Sequence, residues 1–389
     1  MTSRNDIANE ARRHLKKQHS RSPRRRRRLT IRVVIWFIEA MVALAVVEHF
    51  LIRPRFHDKP PPVDPPPFVH TGPVAEVSSG ELNLPKGLQT VDRARLAPLQ
   101  HLADGSLVAR TTQQQFALDS GLPVEAVNTL GMRFRLVPPG TYLMGSPKTE
   151  AHRGESEVEH VVRIPRAIYV GAYEVTQRQW KLLMVENPSQ FQHPERPVEE
   201  VSWYDCQRFI KALCERESVP WGSYRLPTEE EWEYACRAGT STAYCCGNTP
   251  DQLLLFAEYK ANNDTRPALV GRKRPNAYGL YNMHGNVWEW CVNKFYAYDR
   301  TQVDQRHRDW RAIRGGNWYV PAAECRSANR ARLPPASEGN VLGFRLIRRI
   351  ETVDGQDNAF ESPAAPGRKP ANASGENKHP QKESRRQNE

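Results

Sequence analysis

From Val33 to Ile52 the chain runs almost unbroken in apolar residues, with Arg32 before it, Arg53 after it, and only Glu39 and Glu48 as charged interruptions. A helix over these residues rises about 1.5 Å per residue and spans roughly 30 Å, the hydrocarbon thickness of a bilayer. The pattern therefore predicts a single transmembrane helix over 33–52. Residues 53–73 are rich in proline and predict an extended linker. Residues 74–127 are of intermediate composition, with a short helix expected over Thr111–Leu122, stopped by Gly121 and Pro123. The stretch "NTLGMRFRLVPPGTYLMGSP" (128–147) carries short alternating apolar runs around Pro139-Gly140 and Gly145, which predicts strand, turn and strand. Helical spacing follows in "TQRQWKLLMVE" from Thr176 and in "SWYDCQRFIKALCERES" with Ser202 as N-cap. In "LPTEEEWEYACRAG" Thr228 and Glu231 have the spacing of a capping box and Gly239 marks the stop. Beyond Gly239 the Gly-, Asn- and Pro-rich sequence predicts loops pinned by buried tryptophans. Residues 351–389 hold almost no large apolar side chain and are expected to be disordered.

Charge sharpens this picture. The formal net charge of +12 is concentrated in residues 1–32, which hold twelve Lys or Arg and two acids. Those residues read as a basic cytoplasmic tail. The remaining chain has no basic stripe interleaved with stacking aromatics, so nucleic acid is not expected as a partner. The arginines before the apolar run outweigh Arg53, Arg55 and Lys59 after it, which places the N-terminus in the cytoplasm. No small-residue cleavage site follows, so the expectation is an uncleaved single-pass anchor with an extracytoplasmic main domain, periplasmic or at the cell surface.

The densest candidate chemistry is "YGLYNMHGNVWEWC" (278–291). Asn282, Glu289 and the Gly-permitted carbonyls between them are hard oxygen donors of the kind calcium accepts. The same residues also suit a metal-free core in which Glu289 is a buried acceptor between Trp288 and Trp290. His284 is not expected to be catalytic. The chain has no Gly-x-Ser-x-Gly elbow, His-Glu-x-x-His motif or phosphate loop.

Seven stretches stand in a distinctive order: 128–147, "YEVTQRQW" (173–180), "RPVEEVSWYDC" (196–206), "YRLPTEEEWEYACRAGT" (224–240), "PNAYGLYNMHGNVWEWC" (275–291), "IRGGNWYVPAAECRSANRARLPP" (313–335) and "GFRL" (343–346). Together they resemble the formylglycine-generating enzyme family, also called the sulfatase-modifying-factor family. The resemblance assigns 128–350 to that domain and implies an α+β, C-type-lectin-like fold, loop-rich around a small antiparallel sheet. The family's enzymes use oxygen and copper to convert a cysteine of a client sulfatase to formylglycine. The resemblance further implies a calcium site at Asn282, Gly285, Val287 and Glu289. A second calcium site falls near Asn262, Asn263 and Asp264. It implies a disulfide between Cys236 and Cys325, and a client groove at Asn317, Trp318, Arg326, Asn329 and Arg330 with Trp288 as a wall.

The chain departs from the family at the copper ligands. Val320 stands where the first cysteine of the pair belongs, and Cys325 matches either the second ligand or the structural cysteine. Copper is therefore not expected. The expected function is a membrane-anchored, calcium-stabilised module that binds a protein, peptide or glycan. The alternative is an oxygen-dependent formylglycine-generating oxidase with Cys325 catalytic and a cysteine from elsewhere completing its site.

Overall fold

The computed structural model describes residues 84–91, 103–263, 265–296 and 309–350. The strands in chain order are β1 (Leu88–Thr90), β2 (Glu125–Asn128), β3 (Arg133–Val137), β4 (Gly140–Met144), β5 (His160–Ile164), β6 (Ile168–Gly171) and β7 (Tyr224–Arg225). They continue with β8 (Trp288–Lys294), β9 (Arg311–Arg314), β10 (Arg330–Leu333), β11 (Leu342–Gly343) and β12 (Ile347–Arg349). The helices are α1 (Ser106–Ser120), α2 (Gln177–Lys181), α3 (Trp203–Glu217), α4 (Glu229–Arg237) and α5 (Pro250–Leu253).

The α+β class is as expected, with more sheet than expected. A six-stranded antiparallel sheet runs β1-β2-β3-β6-β12-β7, so the last strand of the domain lies inside the sheet begun by the first. A four-stranded sheet runs β10-β9-β8-β11 and is antiparallel except for the β8–β11 pair. Strands β4 and β5 form a separate hairpin. Strand β6 is buried at every position, and β3 at every position after Arg133, including the charged Arg135, which pairs with Glu125.

The helices start where their caps allow. Ser202 accepts the Asp205 N–H and Thr228 accepts the Glu231 N–H, each completed as a capping box by the reciprocal carboxylate. Helix α3 buries Trp203, Cys206, Phe209, Ile210, Leu213 and Cys214 along one stripe. Helix α1 begins five residues before the expected Thr111 and docks through polar side chains. Its Gln113 Nε2 donates to the carbonyls of Leu136 (2.7 Å) and Tyr278 (3.1 Å), and Arg110 Nε donates to that of Ala277 (3.2 Å). A helix with so weak an apolar stripe cannot be bounded by periodicity alone.

Two expectations are corrected. No helix among the described residues is long and apolar enough to cross a membrane, so the expected transmembrane helix, membrane partner and single-pass localisation find no support in the structure and are withdrawn. The segment 33–52 itself, like the basic tail, the Pro-rich linker and 351–389, lies outside the described residues. Nor is there a Cys236–Cys325 disulfide, for all seven cysteines are free and buried. The His284 ring occupies the space beside both residues: its Nδ1 donates to the Cys325 carbonyl (2.7 Å), and Cys236 Sγ lies 3.7 Å from its Nε2.

Candidate functional site

The segment 276–291 is a loop folded around its own amides before it becomes β8. Asn276 donates to the carbonyls of Ala235 (2.7 Å) and Cys236 (3.1 Å) and accepts from the N–H groups of Tyr278 and Leu280. Asn282 and Asn286 hold left-handed backbone at φ 55° and 62°, a conformation Asn tolerates. Asn286 ties in two further loops, accepting the Ala268 N–H and donating to Glu174 (2.9 Å).

Glu289 is fully buried and faces a guanidinium. Arg345 donates to its Oε1 at 2.7 Å and to its Oε2 at 2.9 Å, and Trp232 Nε1 donates to Oε2 at 2.7 Å. Burial disfavours the Arg345 charge, but Glu289 more than offsets it and the guanidinium pKa is raised. Asn282 Oδ1 accepts the Gly271 N–H at 2.9 Å, and its Nδ2, a donor, has no partner. A cation at Glu289 would share that carboxylate with a buried guanidinium and face the Asn282 amide hydrogens. Gly285 and Val287 are buried in the same turn. Near the second expected site the Asn262 side chain closes a turn, accepting the Tyr259 N–H and donating to the Ala257 carbonyl. The Asn263 N–H donates to the Tyr259 carbonyl, and Asp264 lies outside the described residues. No cluster of three or more metal-ligating His, Cys, Asp or Glu side chains occurs among the described residues. Millimolar calcium, or a chelator, is expected to leave the thermal unfolding midpoint unchanged, because only a ligand of the folded state raises it. A calcium-dependent rise would restore the calcium assignment.

Three cysteines meet His284, Cys236 through its thiol and Cys245 and Cys325 through their backbone. Its Nε2 accepts the Cys245 N–H (3.1 Å), so Nδ1 carries the proton given to Cys325. Burial lowers the His284 pKa from 6.5 to about 4, leaving a neutral ring. Desolvation pushes the Cys236 thiol up to about 12 and the Cys325 thiol higher still. Gly316, at φ 76°, passes so close that a Cβ there would stand 2.7 Å from Cys325 Sγ. Val320 packs against the Tyr244, Cys245, Cys246 and Cys325 cluster.

The expected client-groove residues are mostly internal. Arg326 is clamped by Glu150 (2.6 Å) and Glu157 (2.8 Å), and Arg330 by Glu229 (2.5 Å). Asn317 Oδ1 accepts the Tyr319 N–H, Trp318 Nε1 donates to the Asn340 carbonyl, and Asn329 Nδ2 donates to that of Glu324. Trp288 and Trp318 are buried. Sequence reading missed Arg345 and Glu174, whose partners are remote in sequence, and no local pattern marks either residue.

Comparison with known proteins agrees with the geometry. The formylglycine-generating enzyme of Thermomonospora curvata is 32% identical over 233 residues, covering 54% of this chain and 68% of that protein. The chaperone protein LppX of Paenibacillus barcinonensis is 29% identical over 229 residues, covering 46% and 79%. The solved structure of Treponema denticola variable protein 1 superposes with a TM-score of 0.51 at 28% identity, covering 58% of this chain and 99% of that one. Against several other relatives the chain spans 25% to 55% of their length. Residues 123–350 match the sulfatase-modifying factor enzyme 1-like domain, and the chain belongs to that formylglycine-generating enzyme family.

Proposed function

We propose that the domain acts as a recognition or accessory module for a protein, peptide or glycan and does not itself oxidise thiols. The thiol geometry carries this reading. Copper(I) oxygen chemistry needs a pair of reachable thiolates, whereas Cys325 is 0% exposed with its thiol pKa driven upward, and an apolar Val320 replaces its expected partner. The relative named as a chaperone is consistent with an accessory role.

A second reading, the formylglycine-generating oxidase, has its own support. Cys236, Cys245 and Cys325 all contact His284, Cys246 adjoins Cys245, and a relative is named for that activity. One experiment separates the two. The full chain is incubated with copper(I), oxygen and a Cys-x-Pro-x-Arg peptide, and the peptide mass is followed. The peptide is expected to keep its thiol. Conversion of the cysteine to the aldehyde with loss of sulfur, abolished by Cys325→Ser, would establish the oxidase.

A further inference from the structure

Two loops far apart in sequence build a basic face around the N-terminal end of α2. The turn His193–Arg196 is seated there by the Arg178 N–H on the Pro194 carbonyl and the Gln177 N–H on the Arg196 carbonyl, both 3.0 Å. Against it lies the loop 265–274, held by the Val270 N–H on the Glu195 carbonyl (3.0 Å) and by Arg196 Nε on the Pro267 carbonyl (2.8 Å). The loop therefore brings Arg266 and Arg272, both exposed, beside Arg196. Of the nearby acids, Glu195 pairs with Arg178 at 3.1 Å and Glu258 with Lys273 at 4.0 Å, while Glu258 and Glu199 act on Arg272 and Arg196 only through longer-range attraction. Among the described residues no carboxylate is in ion-pair contact with Arg196, Arg266 or Arg272. Desolvation, followed by the charges of Arg266 and Arg272, lowers the Arg196 pKa. Next to these cations is an open cleft of about 410 Å³ lined by Gln177, Lys181, Leu182, Gln192 and His193. An apolar side chain lines it, Leu182 at 57% exposure, and Val185, three residues on, is fully exposed.

We propose that this face, with Arg196, Arg266 and Arg272 at its centre and the Lys181–Leu182 cleft beside it, binds an acidic polypeptide segment that also carries apolar side chains. Three guanidiniums on an ordered scaffold, none of them held in an ion pair among the described residues, invite carboxylates, which they engage bidentately. The exposed Leu182 and Val185 select a polypeptide over a nucleic acid or sulfated glycan, neither of which offers aliphatic side chains to cover them. The inference holds for either reading of the domain's chemistry.

The test measures binding of the full chain to a fluorescein-labelled peptide of alternating Glu and Leu, with a sulfated oligosaccharide as competitor. Arg266→Gln/Arg272→Gln removes two exposed charges and no internal bond, so the fold is retained. It is expected to weaken binding about fivefold, the size of two exposed ion pairs. Lys148→Gln/Arg163→Gln removes equal charge elsewhere and is expected to leave binding unchanged, which also controls for the basic residues 1–32. Leu182→Ser is expected to weaken the peptide and not the oligosaccharide. Equal loss in both double variants, no peptide binding, or tighter binding of the oligosaccharide insensitive to Leu182→Ser would each overturn the proposal.

Discussion

Replacing Arg345 by Met is expected to destabilise the fold by about 3–5 kcal/mol, the cost of leaving a buried carboxylate without its counter-charge. Arg345 is completely buried, and its guanidinium joins three parts of the chain. It donates to the Gly171 carbonyl at the end of β6 (2.8 Å), to the Tyr281 carbonyl in the loop (2.8 Å) and to Glu289 on β8. Met fills the volume of the side chain stem and removes all five donors, so the loss measured is mainly electrostatic. Glu289 then keeps the Trp232 indole as a donor, and Glu174 loses the positive charge that favours its ionised form. Adding Glu289→Gln to Arg345→Met neutralises the stranded carboxylate and is expected to recover part of the loss. Urea midpoints of the three proteins, with unchanged slopes, provide the measurement. A single-variant loss below about 1 kcal/mol, the size of an exposed pair, would show that the ion pair does not hold this loop.

The same pair explains what could and could not be read from the sequence. Capping boxes at Ser202 and Thr228 involve residues three apart, and both were legible because a cap is a local hydrogen bond. Strands β3 and β4 were legible from the short apolar runs around Pro139-Gly140, whereas β6 and the strands after Gly239 were not. The cross-links that hold the loops are not local. Arg345 meets Glu289 across 56 residues, Arg314 meets Glu233 across 81, Arg330 meets Glu229 across 101 and Arg326 meets Glu157 across 169. No window of sequence contains both members of any of them. That is why the local Asn and Gly neighbours of Glu289 point to calcium chemistry while its guanidinium partner in "GFRL" goes unseen. For Arg330 the sequence likewise leaves ligand binding and an internal ion pair equally open, because the carboxylates that hold it and Arg326 lie on distant loops. The disulfide failed differently: Cys236 and Cys325 are brought near one another, but sequence alone cannot show that an imidazole sits against both.

Stability is expected to fall as pH rises from 6.5 to 8, at about 1.4 kcal/mol per pH unit for each buried carboxyl that stays protonated in the fold. Two groups qualify. Desolvation raises Glu174 from 4.5 to about 8, and it raises Glu199 likewise to about 8. The hydrogen bonds each receives, led by Asn286 Nδ2 at Glu174 and by the Phe191 N–H at Glu199, do not offset burial, and Oε2 of each has no partner among the described residues. A folded pKa above the unfolded one means that the native chain holds a proton the unfolded chain has released. Stability from that difference is complete below 4.5, declines through the interval, and levels off above 8. His284 acts in the opposite sense: with its pKa lowered from 6.5 to about 4, stability is lost as pH falls through that range. The two trends oppose each other below 6.5, so only the window from 6.5 to 8 isolates the carboxyls. Glu199→Gln keeps the acceptor for Phe191 and removes the titration, and should flatten the decline by about 2 kcal/mol across that window. Denaturation midpoints at half-unit steps of pH read the slope directly. A wild-type midpoint that rises between 6.5 and 8, or a Glu199→Gln slope equal to wild type, would mean that these carboxyls are already ionised in the folded protein.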